Sequence, residues 1–273
     1  MYKDFYNLSE NPFNVTSDPE FFFSSTRHTE AFSHLFYGIQ QRKGIIVVTG
    51  EIGTGKTTLC RTLLSRLDSN IKTALILNPY FSATQLIKLI LTDLGIEGKF
   101  RSKLDLINAL NTFLLSESSQ GHNVVLIIDE AQNLTPRQLE QIRLLSNLET
   151  EKQKLLQIIL VGQPELLEKL KLPVLRQLNQ RISVRYHILP LAQNEIGNYV
   201  AHRLKLARRS DNGKPGVKFT PKAIDTIFQH SQGTPRLINI LCDRALLSGF
   251  VAEAYTIDET IVTKCAREVG QAE

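Results

Sequence analysis

The chain has 273 residues, of which 42% are hydrophobic and 22% charged, fractions typical of a globular protein with room for about two domains. Its three cysteines exclude a disulfide framework, and neither a membrane-spanning apolar run nor a secretory leader is present, so we expect a cytoplasmic protein. The formal net charge of +5 is small for this length and only weakly favours nucleic acid as a partner.

The N-terminal part of the chain precedes a predicted helix and strand. Residues 1–30 contain many aromatic and turn-forming residues, and we expect them to cap the domain that follows. Helical periodicity begins near Thr29 and ends at Lys43-Gly44. Residues 45–48 are apolar and β-branched, which predicts a strand buried on both faces.

This strand leads into the pattern G-x-x-x-x-G-K-[ST], which is matched at every specified position. Its residues are Gly50, Glu51, Ile52, Gly53, Thr54, Gly55, Lys56 and Thr57, and Thr58 continues into a helix. In a strand, glycine loop and helix of this kind, backbone N–H groups and the helix N-terminus point at bound phosphate. The pattern predicts Lys56 at the β- and γ-phosphates and the Thr57 hydroxyl on Mg²⁺. The alternative is a chance glycine turn before an ordinary helix.

The next landmark is an apolar strand that ends in two acids. Residues 73–77 predict a strand, residues 82–94 and 104–115 two helices, and residues 124–128 a further strand followed by Asp129 and Glu130. The carboxyl ends of parallel strands form the edge at which such sheets bind ligands. We expect Asp129 to hold the Mg²⁺ hydration shell and Glu130 to orient or deprotonate the attacking water. The alternative is a pair of solvated acids in a turn.

Two further residues are candidate nucleotide contacts. After a helix predicted to start with the capping box of Thr135 and Gln138, residues 155–161 predict another strand, which ends at Gly162-Gln163-Pro164. Gln163 emerges at the same sheet edge as Asp129, where it would touch the γ-phosphate or the water; otherwise it bonds the backbone of its turn. His28 is a candidate contact of the adenine ring, and the alternative is an ordinary packed or solvated histidine.

The last part of the chain predicts a final strand and a helical domain. Residues 175–183 supply Arg176 and Arg181, and residues 184–188 predict the strand. We place the domain boundary after residue 190: residues 1–190 form an α/β nucleotide-binding domain with its N-terminal cap segment, and residues 191–273 form an all-helical domain. The predicted helices of the second domain are 194–206, 221–230, 235–252 and 258–269. The basic stretch 203–209 is either a solvated face or a contact for nucleic acid or a partner protein.

These features together resemble an AAA+ ATPase, in which a P-loop NTPase parallel sheet flanked by helices is followed by a C-terminal helical lid. The helix start Gly233-Thr234-Pro235-Arg236 completes the motif set. More narrowly, stretches along nearly the whole chain resemble the general secretion pathway protein A (ExeA-like) family and its pilus-biogenesis relatives. Those stretches are Asn11-Pro12-Phe13, Asp18-Pro19, His28-Thr29-Glu30-Ala31-Phe32, Leu35-Phe36-Tyr37-Gly38, the phosphate loop with Thr58, Ile128-Asp129-Glu130-Ala131-Gln132-Asn133-Leu134 and Leu160-Val161-Gly162-Gln163-Pro164-Glu165-Leu166.

The resemblance implies Mg-dependent ATP hydrolysis by a homo-oligomer that assembles through its ATP sites. Arg236 falls at the sensor-2 position, facing the γ-phosphate of its own subunit. Arg181 falls near the arginine finger that completes a neighbour's site, and Arg176 is the alternative. Gln163 falls at sensor 1, where the wider class more often has Asn, Ser or Thr.

The resemblance also implies a setting at the cell envelope, in type II secretion or pilus biogenesis. The chain stops after the lid, whereas the family often continues into a transmembrane segment and a periplasmic part. We therefore expect either a separate membrane-protein partner, with the chain peripheral at the inner membrane, or a chain that is the cytoplasmic portion of a longer protein. The alternative is a DNA-associated AAA+ ATPase similar to transposition regulators, with DNA as the less favoured partner. Glu130 argues against a third class, a structural nucleotide-binding module, because such a module needs no water activator.

Overall fold

The computed structural model describes residues 2–79, 81–151, 153–209 and 216–270. The chain divides into two compact units. The α/β unit comprises His28–Ile52 and Lys56–Ile188, and the helical unit comprises Met1–Arg27, Gly53–Gly55 and Leu189–Glu273.

The described residues of the α/β unit form a five-stranded sheet, parallel throughout, in the order β2-β3-β4-β1-β5. Its strands are β1 (Ile45–Gly50), β2 (Ile71–Ile76), β3 (Asn123–Ile128), β4 (Gln157–Gly162) and β5 (Ile182–Ile188). The three central strands are buried along their whole length, as their apolar sequences predict, whereas β5 at the edge alternates. The predicted parallel sheet is confirmed.

The helices begin largely where the sequence predicts. They are α1 (Tyr2–Phe5), α2 (Thr26–Gln40), α3 (Lys56–Ser65), α4 (Ala83–Asp93), α5 (Lys103–Ser119), α6 (Pro136–Leu145), α7 (Glu165–Leu170), α8 (Arg176–Gln180), α9 (Gln193–Ala207), α10 (Pro221–Ser231), α11 (Pro235–Val251) and α12 (Glu259–Gly270). The predicted capping box at the start of α6 is present: Thr135 Oγ1 accepts from the N–H of Gln138, and the Gln138 side chain accepts from the N–H of Thr135. The helix ends at Leu145, with Ser146 as its C-cap. The short helices α1, α7 and α8 were not predicted, because segments of four to six residues carry too little periodicity.

The core of the α/β unit lies between one face of the sheet and helices α4 to α8. Alternate residues of the central strands, such as Val47, Leu126 and Ile158, point to this face and are fully or almost fully buried. Leu86 and Leu110 cover them from α4 and α5. This packing fixes the strand order, and with it the side chains that meet at the carboxyl edge of the sheet.

The helical unit contains α1, α9 to α12 and a short parallel pair, β6 (Lys218–Phe219) and β7 (Thr256–Ile257). Its core includes Tyr6, Leu8, Phe13 and Phe21 from the N-terminal segment. The sequence predicts this segment as a cap on the nucleotide domain, but the structure groups residues 1–27 with the helical unit. The reason is the large apolar area of these four side chains, which the helical core buries.

A buried arginine fixes the N-terminal segment within the helical unit. Arg203 is 5% exposed, and its guanidinium donates to the carbonyl oxygens of Pro12 at 2.5 Å and Asn14 at 3.0 Å. It also lies over the ring of Phe21, 4.9 Å from the centroid. The basic stretch 203–209 is therefore not a uniformly solvated face, because its first cation is internal.

Within the described part of the chain, no helix is both long and apolar enough to cross a membrane.

Candidate nucleotide-binding site

The loop that joins β1 to α3 has backbone geometry that requires glycine. Gly53 and Gly55 have φ angles of +80° and +92°, which residues with a Cβ rarely adopt. A Cβ on Gly53 would lie 2.6 Å from the Cβ of Arg236, closer than two non-bonded carbons can approach. Of the other loop residues, Thr54 is fully buried, whereas Ile52 is 59% exposed. The loop is thus shaped as the phosphate-binding pattern predicts.

Lys56 occupies the first position of α3 and is almost completely buried. Its ammonium donates to the carbonyl oxygens of Gly50 at 2.8 Å and Glu51 at 2.9 Å, so it lies curled inside the loop. Burial lowers the pKa of Lys56, while the charges of Glu130, Asp129 and Glu51 oppose that shift. A buried cation beside a helix N-terminus is a strong attractor for the oxygens of a phosphate group.

A hydrogen bond joins the loop to the acidic end of β3. Thr57 Oγ1 donates to Asp129 Oδ2 at 2.5 Å, and Asp129 is 2% exposed. Burial raises the pKa of Asp129, and the hydrogen bonds from Thr57 and from the N–H of Glu130 partly offset this. A half-buried hydroxyl and a buried carboxylate beside a phosphate loop are oxygen ligands of the kind that Mg²⁺ prefers, with nucleotide phosphate and water as its remaining ligands. The residues present therefore fit a nucleotide with Mg²⁺.

Glu130 and Gln163 meet at the carboxyl edge of the sheet, as the sequence predicts. Gln163 Nε2 lies 3.4 Å from Glu130 Oε2. Glu130 has a φ of +52°, in the left-handed region that a residue with a side chain seldom adopts. Such backbone geometry costs conformational energy and persists only where the surrounding structure imposes it. Residues with this geometry are frequent at functional sites.

Gln132, for which the sequence predicts no role, contacts both of these residues. Its Nε2 donates to Glu130 Oε2 at 2.6 Å, and its Oε1 accepts from the N–H of Gln163 at 3.0 Å. The residue lies in the stretch that carries the family resemblance. Its link to β4 depends on which strand neighbours β3, and a single sequence does not give the strand order.

The other three residues predicted to serve the site in the α/β unit, His28, Arg181 and Arg176, lie on α2 and at the two ends of α8. His28 is buried in α2. Arg181 caps the C-terminus of α8, where its guanidinium donates to Asn147 Oδ1 and, at 3.5 Å, to Ser146 Oγ. Arg176 is exposed at the start of the same helix. These positions leave the guanidinium of Arg176 accessible to a partner, while that of Arg181 has partners within its own chain.

In the helical unit, the start of α11 approaches one residue of the phosphate loop. The N–H of Arg236 donates to the carbonyl oxygen of Gly53 at 3.2 Å. Gly233, just before the helix, has a φ of +77°, and a Cβ there would lie 2.0 Å from the carbonyl oxygen of Leu191. Thr234 has the position of an N-cap but makes no side-chain cap hydrogen bond. The tight turn, rather than a capping side chain, therefore sets where α11 begins.

Residues 39–170 match a family model described as an AAA domain, and this range contains the phosphate loop, Asp129, Glu130 and Gln163. Residues 39–170 therefore form an AAA domain. It is 43% identical over 271 residues to General secretion pathway protein A of Aeromonas hydrophila, an alignment that covers 99% of this chain and 49% of that protein. The resemblance predicted from the sequence is thereby confirmed, and the chain spans about half the length of this relative.

Solved structures share the fold of this chain. Cdc6p from Pyrobaculum aerophilum matches with a TM-score of 0.68 and 19% identity, covering 92% of this chain and 70% of that one. The ORC2 protein of Aeropyrum pernix, solved as ADPNP-ADP complexes, matches with a TM-score of 0.64 and 17% identity, covering 88% of this chain and 66% of that one. At these identities the likeness concerns the fold, and it confirms the P-loop sheet with a helical C-terminal region. An AAA domain on this fold supports nucleotide binding and hydrolysis as the general activity.

Proposed function

We propose that the protein is a Mg-dependent ATPase, and the hydrogen bond between Thr57 and Asp129 is the observation that carries this proposal. The two oxygens that we expect to bind the metal lie 2.5 Å apart in this bond, next to the buried ammonium of Lys56. Thr57 and Asp129 would hold Mg²⁺, which supplies charge stabilisation to the transferring phosphoryl group when bound. Lys56 would exchange its two carbonyl partners for oxygens of the β- and γ-phosphates.

The proposed hydrolytic step uses Glu130 as general base. Its carboxylate takes a proton from the attacking water as the water oxygen bonds to the γ-phosphorus, and the bond to the bridging oxygen breaks to release ADP. The amide of Gln163 would donate to the water or to a γ-phosphate oxygen. Its position 3.4 Å from Glu130 supports a shared target for the two side chains.

We also propose the roles that the family resemblance implies for more distant residues. Residues 191–273 would act as the lid, with Arg236 as sensor 2. His28 would contribute to the nucleotide pocket from α2. Arg181, with Arg176 as the alternative, would complete the site of a neighbouring subunit, because a cation aimed at the transferring phosphoryl group raises the rate by about 10³–10⁵. Both arginines are exposed in a single chain, but the guanidinium of Arg181 already bonds Asn147 and Ser146.

The relative's name places its function in a general secretion pathway. Because this chain is similar to that relative, we propose that ATP-driven conformational changes in a homo-oligomer of this chain serve the assembly of a secretion or pilus system. A membrane-protein partner would hold the chain at the inner face of the envelope. A DNA-associated ATPase is the alternative, to be distinguished by experiment.

The test is steady-state ATP hydrolysis over a protein concentration series, with Mg²⁺ or with EDTA, and with or without duplex DNA. The proposal predicts turnover that requires Mg²⁺ and a specific activity that rises with protein concentration and ignores DNA. Activity that DNA stimulates strongly, and that added salt returns to the basal rate, would favour the DNA-associated alternative. Turnover that Glu130→Gln leaves unchanged would contradict the proposed chemistry.

A further inference from the structure

Gln132 occupies the space between the ends of β3 and β4. One end of its amide donates to Glu130 Oε2 at 2.6 Å, and the other accepts the N–H of Gln163 at 3.0 Å. Gln163 Nε2 returns to the same Glu130 oxygen at 3.4 Å. The three residues therefore form a closed ring of hydrogen bonds, in which Glu130 is the charged acceptor.

The surroundings of Gln132 hold it in this position. Gly162, the last residue of β4, leaves room for the Gln132 side chain, since an added Cβ would lie 2.8 Å from Gln132 Oε1 and 3.2 Å from its backbone nitrogen. Lys169 of α7 fixes the backbone on the other side, donating to the carbonyl oxygens of Gln132 at 2.5 Å and Leu134 at 2.8 Å. The half-buried side chain of Gln132 therefore lies against Gly162, while Lys169 holds its backbone.

We propose that Gln132 is a positioning residue that holds Glu130 and Gln163 as a single unit for catalysis, which rests on the proposed role of Glu130 as general base. Glutamine suits this task because its amide offers a donor and an acceptor at one end of the side chain. The donor orients the carboxylate of Glu130, a residue whose backbone lies in the left-handed region. The acceptor ties that carboxylate to the main chain of the neighbouring strand.

The first test separates positioning from binding. Gln132→Glu keeps the size of the side chain and its acceptor but replaces the donor with a charge that repels Glu130. We expect kcat to fall about 10- to 100-fold, because misplacement of a catalytic group by about 1 Å costs a factor of this order. KM and the affinity for a non-hydrolysable ATP analogue should change less than about 2-fold, since Gln132 has no place in the phosphate loop. Gly162→Ala, which would displace the amide, should lower kcat in the same way.

The matched control is Gln120→Glu, at the exposed end of α5, where the side chain bonds only Ser116 of its own helix. Its kcat and KM should equal those of the unaltered protein. A fall in analogue affinity that matches the fall in kcat in Gln132→Glu would overturn the proposal, because Gln132 would then shape the binding pocket. Unchanged kcat in both Gln132→Glu and Gly162→Ala would overturn it as well.

The second test measures the contact without nucleotide. Gln132→Glu should lower the Tm by about 2–6 °C, because two carboxylates meet where a charge-assisted hydrogen bond was. Combining it with Glu130→Gln reverses donor and acceptor, so the exchanged pair should regain at least half of that loss in Tm while remaining inactive. Strictly additive Tm changes would show that the two side chains are uncoupled and would refute the proposal. This test does not depend on the mechanism: if Glu130→Gln alone keeps full turnover, the proposed chemistry of Glu130 fails even where the Tm coupling is found.

Discussion

The hydroxyl of Thr57 donates a hydrogen bond of 2.5 Å to the buried carboxylate of Asp129, and so joins the phosphate loop to the end of β3. The two residues lie 72 positions apart in the sequence. They meet because a parallel sheet delivers the carboxyl ends of its strands to one edge. Each half of the site is recognisable alone, and the bond between them indicates that they form one site.

Replacing Lys56 tests the phosphate loop. Lys56→Ala removes the buried ammonium that would bond the β- and γ-phosphates, and we expect ATP affinity to fall about 100-fold, the equivalent of two charge-assisted hydrogen bonds. Titration calorimetry with a non-hydrolysable analogue measures this directly. Lys88→Ala, an exposed lysine of α4, is the control and should bind normally. Retained affinity in Lys56→Ala would refute the assignment of the loop.

Replacing Glu130 tests the water activator. Glu130→Gln keeps the shape of the side chain but cannot accept a proton, so ATP should bind with an affinity changed less than about 2-fold while turnover falls by about 10²–10⁴. Binding of a fluorescent nucleotide and phosphate release report the two quantities separately. Glu97→Gln, at an exposed position of the same unit, should leave both unchanged. Equal losses of binding and turnover would instead give Glu130 a structural role.

Asp129 should link pH to the stability of the nucleotide-free protein. Burial raises the pKa of Asp129 above its usual 3.8, so the folded protein binds this proton more tightly than the unfolded chain does. The carboxylate therefore costs stability at pH values above the folded pKa, and this cost disappears as the pH falls below the usual value.

Accordingly, Asp129→Asn should have a higher Tm than the unaltered protein at pH 7 and should lose this advantage on acidification. Its ATP turnover should fall about 100-fold, because a metal-binding charge is missing. Thermal unfolding across pH measures the difference. A Tm advantage that does not change with pH would attribute the effect to packing rather than to the charge of Asp129.

Mixed subunits test completion of the site between neighbours. If Arg181 acts on the nucleotide of an adjacent subunit, mixing inactive Arg181→Ala with inactive Lys56→Ala should restore part of the turnover, because some interfaces then contain both intact residues. The same mixture with Arg176→Ala identifies which arginine serves. Rescue by one arginine variant and not by the other assigns the finger, and no rescue at any ratio for either would count against completion in trans.

The helical unit should depend on Arg203. Arg203→Ala leaves the carbonyl oxygens of Pro12 and Asn14 without their charged donor and opens a cavity over Phe21, so we expect a loss of about 2–4 kcal/mol in the free energy of unfolding. Urea unfolding measures it, and limited proteolysis should show earlier cleavage within residues 1–27. Lys205→Ala, two positions away and exposed, is the control and should change stability by less than about 0.5 kcal/mol. Similar losses in both variants would remove the special role of Arg203.

The sequence alone determined the phosphate loop, the Asp129-Glu130 strand end, the five strands of the sheet and the longer helices, but not α1, α7, α8 or the short pair β6 and β7. Each is encoded locally: glycine at fixed spacing provides backbone freedom, and apolar β-branched runs provide buried strands. The sequence defined the ends of these elements less well than their existence. For example, β5 begins at Ile182 rather than at residue 184, because its half-buried side chains give a weaker apolar signal.

Only the tertiary structure decided the partners of these elements. The aromatic side chains of residues 1–27 could pack on any apolar surface. The structure buries them in the core of the helical unit. Gln132 gained its place from the pairing of β3 with β4, which brings the N–H of Gln163 within 3.0 Å of its amide. A hydrogen bond between neighbouring strands depends on which strands are neighbours, and the packing of the whole sheet decides that order.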